Sequence, residues 1–297
     1  METILITGAG PNGVTGRLIK EYFEKHYILI TPSSKELDLT NDIAVSQFFS
    51  ANKIDYVIHC ATFRPHSADS SHLVDEELES NLRMYYSLAS QNSHYKKMIY
   101  FGSGAEFDKS QPIVRVKEED FGQSTPKNKY GLGKYIMNEH ARKSDNIYNF
   151  RLFGTINKYE RPNKNVISNL CAKAVCGIPL ALRQDCLFSF IDINDVLPII
   201  KKALKKDLSF HDYNLVSNEP YYLSDIASII LKLSNSKGDI AFNQSGYNLE
   251  YTASNERLKT EMITYFTPIE DSVREVLNYI KSIKSKINIS EIDNRWK

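Results

Sequence analysis

The most constraining feature of this chain is the segment Thr7-Gly8-Ala9-Gly10-Pro11-Asn12-Gly13-Val14-Thr15-Gly16, which follows directly on Thr3-Ile4-Leu5-Ile6. The short apolar and β-branched run predicts a strand, and the residues from Thr15 onward predict a helix over 15–25. Gly8, Gly10 and Gly13 have GxGxxG spacing, and Gly10, Gly13 and Gly16 have GxxGxxG spacing. A strand that turns this tightly into a helix needs residues without side chains, and the same absence lets backbone approach a bulky anion. The helix then aims its N-terminus at that anion. Strand, glycine turn and helix in this order predict a dinucleotide site, with Gly8, Gly10, Asn12, Gly13, Val14 and Gly16 around the pyrophosphate.

The pattern continues for half the chain. Apolar runs at 27–31, 55–61, 97–103 and 146–153 alternate with helical patterns at 42–53, 75–91 and 130–143. Strands that are apolar throughout and joined through helices predict a parallel sheet covered on both faces. Right-handed crossovers make it a doubly wound Rossmann-type sheet. The second half is less regular, with helices expected at 166–176, 195–206 and 223–234 and strands at 187–191 and 213–216. Thr267-Pro268-Ile269-Glu270 predicts a helix start, with Thr267 as cap, Pro268 as first helical residue and Glu270 closing the capping box. The expected organisation is a cofactor domain over 1–157 and about 187–212. A smaller mixed α/β substrate-binding domain is expected over about 158–186 and 213–297.

The end of the second strand bears on the choice of dinucleotide. An acidic residue there holds the adenosine ribose hydroxyls. This chain instead has Thr31-Pro32-Ser33-Ser34-Lys35. These residues carry no negative charge and can donate to a 2′-phosphate, so NADP(H) is expected in preference to NAD(H), with Ser33 and Ser34 as contacts.

Composition removes several classes of function. With 297 residues, 42% of them hydrophobic, the chain can bury a full core without disulfides. Lys+Arg is 37 against Asp+Glu 36, too even for a generic nucleic-acid binder. There is no basic amphipathic face for a membrane surface, no run near the ~20 apolar residues of a spanning helix, and no signal-peptide pattern. Cys60, Cys171, Cys176 and Cys186 form no CxxC pair, which fits reduced thiols. The expectation is a soluble cytoplasmic protein. The histidines show no HxxxH or HExxH spacing, so no metal is expected.

Tyr130-Gly131-Leu132-Gly133-Lys134 sets Tyr130 and Lys134 four residues apart, on one helix face. A free tyrosine has a pKa near ~10, too high for proton transfer at neutral pH. A nearby ammonium favours the phenolate and lowers that value. The pair can then exchange a proton with a sugar or alcohol oxygen. Upstream, Met98-Ile99-Tyr100-Phe101-Gly102-Ser103 predicts a strand ending on a serine, at the sheet edge where such folds bind ligands. Ser103, Tyr130 and Lys134 are the candidate catalytic set, with Ser103 bonding the reacting oxygen and Lys134 also holding the nicotinamide ribose.

Glycine turn, serine and YxxxK together resemble the extended short-chain dehydrogenase/reductase family of sugar-nucleotide epimerases, dehydratases and reductases. The resemblance covers most of the chain. Asp38-Leu39 matches the family's adenine-contacting pair, Cys60-Ala61-Thr62 stands where its nicotinamide-side strand ends, and Asn81 matches an asparagine of its fourth helix. Phe190-Ile191-Asp192-Ile193-Asn194-Asp195 resembles its aromatic-x-x-Val-x-Asp segment. Glu36-Leu37-Asp38-Leu39 through Phe48-Phe49 to Ile54-Asp55 most resembles the GDP-fucose synthase branch. The resemblance implies a nucleotide-diphosphate-sugar substrate and a homodimer through the helices at 75–91 and 130–143.

The departures narrow the chemistry. The dehydratases carry an acidic pair after the serine, where this chain has Gly104-Ala105. The GDP-fucose synthase branch carries a cysteine two residues after the serine and a partner histidine, and the matching positions are Ala105 and Asn165. A diphosphate-binding arginine is replaced by Leu187 or Phe188, with Arg183 the candidate substitute. Glu106 is either a replacement base or a structural acid bonding the loop at 108–111, and Arg64 is either a substrate contact or a surface arginine. What remains is hydride and proton transfer at one carbon: reduction of a nucleotide-activated 4-keto sugar. The alternatives are a C4 epimerase that retains its NAD and, from another class, a non-catalytic NADP-binding protein, which would not need the intact Ser103–Tyr130–Lys134 set.

Overall fold

The computed structural model describes residues 1–63, 73–262 and 265–293, so the expected contact Arg64 lies outside the described residues. Six parallel strands form the main sheet: β1 (Thr3–Thr7), β2 (Ile28–Ile30), β3 (Tyr56–His59), β4 (Lys97–Ser103), β5 (Ile147–Leu152) and β6 (Asp212–Leu215). Their spatial order is β2-β1-β3-β4-β5-β6. β1 pairs with β2 on one side and with β3 on the other. The chain therefore reverses its direction of travel at β1. The crevice beyond the C-terminal ends of β1 and β3 is the switch point at which sheets of this kind bind ligands.

Side chains of β1 part to opposite faces with the period of two that the pleat imposes. Ile4 and Ile6 enter one core with Leu18, Ile19 and Phe23 of α1 (Thr15–Phe23). Leu5 enters another with residues of α2 (Asp42–Ala51), α3 (Leu73–Ala89) and α4 (Lys129–Ala141), among them Val45, Phe49, Tyr85, Leu88 and Met137. The doubly wound sheet is thus covered on both sides. The later helices are α5 (Val166–Cys176), α6 (Ile193–Lys205), α7 (Leu223–Ser234), α8 (Glu256–Glu261) and α9 (Ile269–Ser282). Helices α6 and α8 add Val196, Ile200 and Leu258 to the first core. Helices α5, α7 and α9 build a separate core through Leu170, Ile226, Val273 and Leu277.

A small sheet ties the two halves together. Tyr221–Tyr222, Leu187–Phe188, Tyr251–Ala253 and Ile113–Val116 lie side by side in that order. Ile113–Val116 comes from the first half of the chain and the others from the second. The domain boundaries expected from sequence differ from this arrangement in two places. Residue 212 opens β6, whose four buried residues pair with β5, because Tyr213 and Leu215 bury themselves in the cofactor-side core. Leu187–Phe188, expected in the cofactor domain, pairs instead with Tyr221–Tyr222 and Tyr251.

The cap expected on α9 does not form. Thr267 gives its backbone N–H and its hydroxyl to the Asp195 carboxylate at 2.8 and 2.7 Å. Pro268 then stands at the N-cap without a side-chain bond. The two charge-assisted bonds hold Thr267 on Asp195, one residue ahead of the helix N-cap.

Candidate active site

The glycine turn closes against the end of β3. Gly8 has φ +70°, and a Cβ there would come within 2.7 Å of the Ala61 nitrogen. A Cβ on Gly13 or Gly16 would collide with the Gly8 carbonyl. These three glycines serve internal packing. Gly10 does not: it is exposed, and a Cβ there would meet nothing within 4 Å. Its missing side chain leaves the outer face of the turn open. Helix α1 starts here with Val14 at the N-cap, no side-chain cap and no acidic residue in its first turn. Its free N–H groups and positive dipole end suit an anion. Asn12 is exposed beside them. The turn therefore fits a dinucleotide pyrophosphate.

The end of β3 is braced from two sides. Thr7 Oγ1 accepts from the Cys60 and Ala61 nitrogens, both at 3.2 Å, and bonds His59 Nδ1 at 2.8 Å. Burial, with the Lys134 ammonium nearby, pulls His59 down to about 3, so the imidazole is neutral. Asn81 Oδ1 accepts from Phe63 N–H, and its Nδ2 donates to the Phe63 carbonyl, both at 3.0 Å. The buried Asn81 amide thus spends itself on backbone. It fixes the segment after Cys60-Ala61-Thr62 and acts on the site through that segment.

Ser33, Ser34 and Lys35 are exposed after β2. Thr31–Lys35 carry no negative charge, but the next residue brings one to the turn. Glu36 folds back so that its carboxylate accepts from Ser33 N–H at 2.7 Å. That bond, with a second from the Ser33 hydroxyl, holds the acid below the ordinary carboxylate range. The Ser33 donors expected to face a 2′-phosphate are thus engaged, while Ser34 and Lys35 stay exposed. Asp38 is exposed and caps Thr40, accepting from its N–H at 2.9 Å and its hydroxyl at 2.7 Å. Leu39 is buried in the core with Val45 and Phe49.

Ser103 ends β4 and opens a 3-10 turn, Gly104–Phe107. Its Oγ accepts from Ala105 N–H at 3.2 Å, and its own N–H donates to Glu106 Oε1 at 2.9 Å. Helix α4 is started by Asn128, whose side chain accepts from Gly131 N–H at 2.7 Å. A Cβ on Gly131 would come within 2.6 Å of the Ala105 carbonyl. That glycine brings the first turn of α4, and Tyr130 with it, against the turn that carries Ser103. Tyr130 is partly exposed, while Lys134 is buried and donates from Nζ to the Phe101 carbonyl at 2.8 Å. Tyr130, Lys134 and Asn81 line one small cavity.

Glu106 is not on the substrate side. It has no exposed surface, so it touches no substrate, and it does not bond the 108–111 loop. Oε2 is met by Arg151 Nε at 2.8 Å, and both oxygens by Asn149 Nδ2 at 3.1 and 3.2 Å. Arg151 continues to Asp212 Oδ2 at 2.9 Å and to Asn214 Oδ1 at 2.8 Å. Asp212 Oδ1 in turn accepts from Arg257 at 2.7 Å. Burial raises the Asp212 carboxyl, but Arg151, Arg142 and Arg257 more than offset this and leave it low. The serine thus rests on a buried chain of alternating charges that runs into α8.

Among the remaining sequence candidates, Asn165 is partly exposed at the N-cap of α5 with no side-chain capping bond, and Arg183 is exposed. Sequence reasoning missed Arg151, Asp212 and Arg257, and it missed Tyr251. A pair of glycines flanking Ser103 was the available signal. A Cβ on Gly102 would collide with Asn149 and Glu106, and one on Gly104 with the Phe153 ring and the Tyr251 hydroxyl. Also unforeseen, Asn157 and Arg161 donate to the Val14 and Asn12 carbonyls, at 3.4 and 3.3 Å, from the loop behind the glycine turn.

The family model described as NAD dependent epimerase/dehydratase family matches residues 4–215. The GDP-L-colitose synthase of Yersinia pseudotuberculosis is 22% identical over 264 residues, which cover 82% of this chain and 85% of that protein. The structure of MlghC, the GDP-mannoheptose C4 reductase of Campylobacter jejuni with NADP bound, superposes with a TM-score of 0.81 at 17% identity, covering 94% of this chain and 98% of that one. The NADP complex of a GDP-L-fucose synthetase from Naegleria fowleri gives a TM-score of 0.79 at 18% identity, covering 96% and 95%. These structural likenesses bear on the fold. The family match spans the glycine turn, Ser103, Tyr130, Lys134 and all six strands of the main sheet, and on that ground the chain belongs to the NAD dependent epimerase/dehydratase family.

Proposed function

We propose that this chain reduces the 4-keto group of a nucleotide-activated sugar with NADPH. The observation that carries the reading is the pairing of an intact set with two missing groups. Ser103 ends β4, the first turn of α4 that carries Tyr130 packs on the turn after it, and Lys134 reaches the Phe101 carbonyl of the same strand. The positions for a base and acid at neighbouring carbons hold Ala105 and Asn165. The names of the relatives, a GDP-sugar synthase and a GDP-sugar C4 reductase, support a nucleotide sugar as substrate.

When bound, the nicotinamide supplies a hydride to the ketone carbon. Tyr130 delivers a proton to the ketone oxygen as that oxygen gains charge. The Lys134 ammonium favours the phenolate left behind. Ser103 donates a hydrogen bond to the same oxygen, stabilising charge where it develops. Arg183 and Asn165 are assigned to the nucleotide-sugar side. Lys109 is a further cation there: it is exposed, with its ammonium 4.4 Å from the Tyr251 ring centroid.

A second reading, a C4 epimerase that retains NAD, is favoured by Glu36, whose carboxylate stands on the Ser33 turn where a 2′-phosphate would bring like charge. A panel of nucleotide 4-keto sugars, each with NADPH and then NADH and followed by cofactor absorbance, separates the two. Consumption of NADPH with at least one sugar is expected. No consumption on any member, with NAD carried through purification, would replace the reductase reading with the epimerase one.

A further inference from the structure

The pyrophosphate of a dinucleotide carries negative charge on both phosphates, and the glycine turn that fits it, residues 7–16, contains no charged side chain. Backbone N–H groups and the dipole of α1 supply only partial charges there. A full positive charge arrives from a distant part of the chain. Arg161 lies on the loop between the short strand Gly154–Ile156 and α5, and its Nη2 donates to the Asn12 carbonyl at 3.3 Å. Gly13 N–H donates to the Gly10 carbonyl at 2.8 Å, so Asn12 sits in the same tight turn as Gly10, whose outer face is open. Gly10, Asn12 and Arg161 are all exposed.

The loop that carries Arg161 is pinned along its length. Asn157 Nδ2 donates to the Val14 carbonyl at 3.4 Å, Lys158 pairs with Glu275 at 3.0 Å, and the Tyr159 hydroxyl donates to Glu21 at 3.1 Å. The Arg161 carbonyl accepts from Asn165 N–H at 3.1 Å and from Ser168 Oγ at 3.2 Å. The first cation of α1 is already engaged: Arg17 pairs with Glu21 at 3.1 Å and lies 3.7 Å over the Tyr159 ring. Arg161 differs, because among the described residues no carboxylate pairs with it. The Asn12 carbonyl takes one of its N–H donors, and the rest of the planar fork suits a phosphate. We propose that Arg161 binds the cofactor pyrophosphate, closing the glycine turn from the loop that leads into α5. The inference rests on the dinucleotide reading of the turn and is independent of which sugar is reduced.

Arg161→Gln tests it, because the amide keeps a donor for the Asn12 carbonyl while the charge goes. In a fluorescence titration without sugar, the variant should bind NADPH about tenfold more weakly than the wild type, the scale of one charge-assisted hydrogen bond near the surface. NADH should weaken by the same factor, since the two cofactors share the pyrophosphate. Arg161→Lys, which keeps the charge, should lose less than about threefold. The gap between the wild type and Arg161→Gln should narrow as salt is raised. Unchanged affinity in Arg161→Gln means that the arginine only ties the turn, and a loss confined to NADPH puts it on the 2′-phosphate. An equal, salt-independent loss in both variants means that the turn itself has been disturbed. Each of these three results overturns the proposal. If the wild type binds neither cofactor, the dinucleotide reading and the proposal fall together. If it binds them and reduces no sugar, only the reductase reading fails, and the titration still decides the role of Arg161.

Discussion

Arg151 Nε stands 2.8 Å from Glu106 Oε2, and neither side chain exposes any surface. Removing one member of a buried ion pair leaves the other charged and unpaired, at a cost of about 3–5 kcal/mol. Arg151→Met strands both Glu106 and Asp212. Urea unfolding should register a loss of at least that size, and a loss below about 1 kcal/mol would mean that the two carboxylates are not charged partners of Arg151.

Tyr130→Phe keeps the ring and removes the proton donor. Turnover should drop by at least ~10²-fold, the usual scale for a lost general acid. NADPH binding, measured by fluorescence titration, should be nearly unchanged. Near-normal turnover would assign the proton to another group.

Cofactor choice turns on Glu36. NADPH should be the better cofactor by kcat/KM. Glu36→Gln, which removes the charge that folds onto Ser33, should widen that advantage by about threefold or more, and Ser33→Asp should shrink or reverse it. A wild type that prefers NADH, with the preference reversed by Glu36→Gln, would identify Glu36 as the acid that selects the unphosphorylated ribose.

Epimerisation beside the ketone needs a base and an acid, and a methyl group at Ala105 transfers no proton. Reduction run in D₂O should yield product without carbon-bound deuterium at C3 or C5 beyond spontaneous exchange, as read by mass spectrometry. Enzyme-dependent label there would have to come from a group other than Glu106, whose carboxylate is sealed under the serine turn.

Glu160 gives a pH signature. It lies on the loop whose Asn157 and Arg161 touch the glycine turn, and it hydrogen-bonds Thr155 at 2.5 Å. Burial pushes its carboxyl from 4.5 up to about 8. The folded chain thus holds a proton that the unfolded chain releases near pH 4.5. Stability from this group is complete below that value and drains away as pH rises through about 8. Glu160→Gln is neutral at every pH, so its unfolding free energy should fall less than the wild type's across that window. Parallel curves for the two proteins would contradict a buried, protonated Glu160.

The first half of the fold was legible because each element there carries a local signal. Thr3–Ile6 is apolar without interruption, the glycines mark one turn, and YxxxK marks one helix face. The positions of the candidate set were legible too: Ser103 ends β4, and Tyr130 stands in the first turn of α4 with Lys134 one turn further along. What stayed hidden depends on contacts between distant residues. Arg151 looks like an edge residue in a strand until Glu106, Asp212 and Asn214 converge on it. Tyr251 belongs to a three-residue strand too short to show a period. Thr267 carried a good capping pattern and lost it to Asp195, an acceptor that no local reading could supply. Glu36 lies just past the uncharged turn 31–35, and only the fold-back onto Ser33 brings it in.

The buried chain Glu106–Arg151–Asp212–Arg257 also has a consequence for how this sequence can change over time. Each charge is neutralised by its neighbour, so a lone replacement leaves a stranded ion while a matched pair of replacements leaves none. Drift through these positions is therefore confined to coordinated steps. Among relatives that keep a serine at the end of β4, positions 106, 151, 212 and 257 should switch between charged and apolar residues as a group. A chain caught with only some of them switched should be one whose serine turn has loosened.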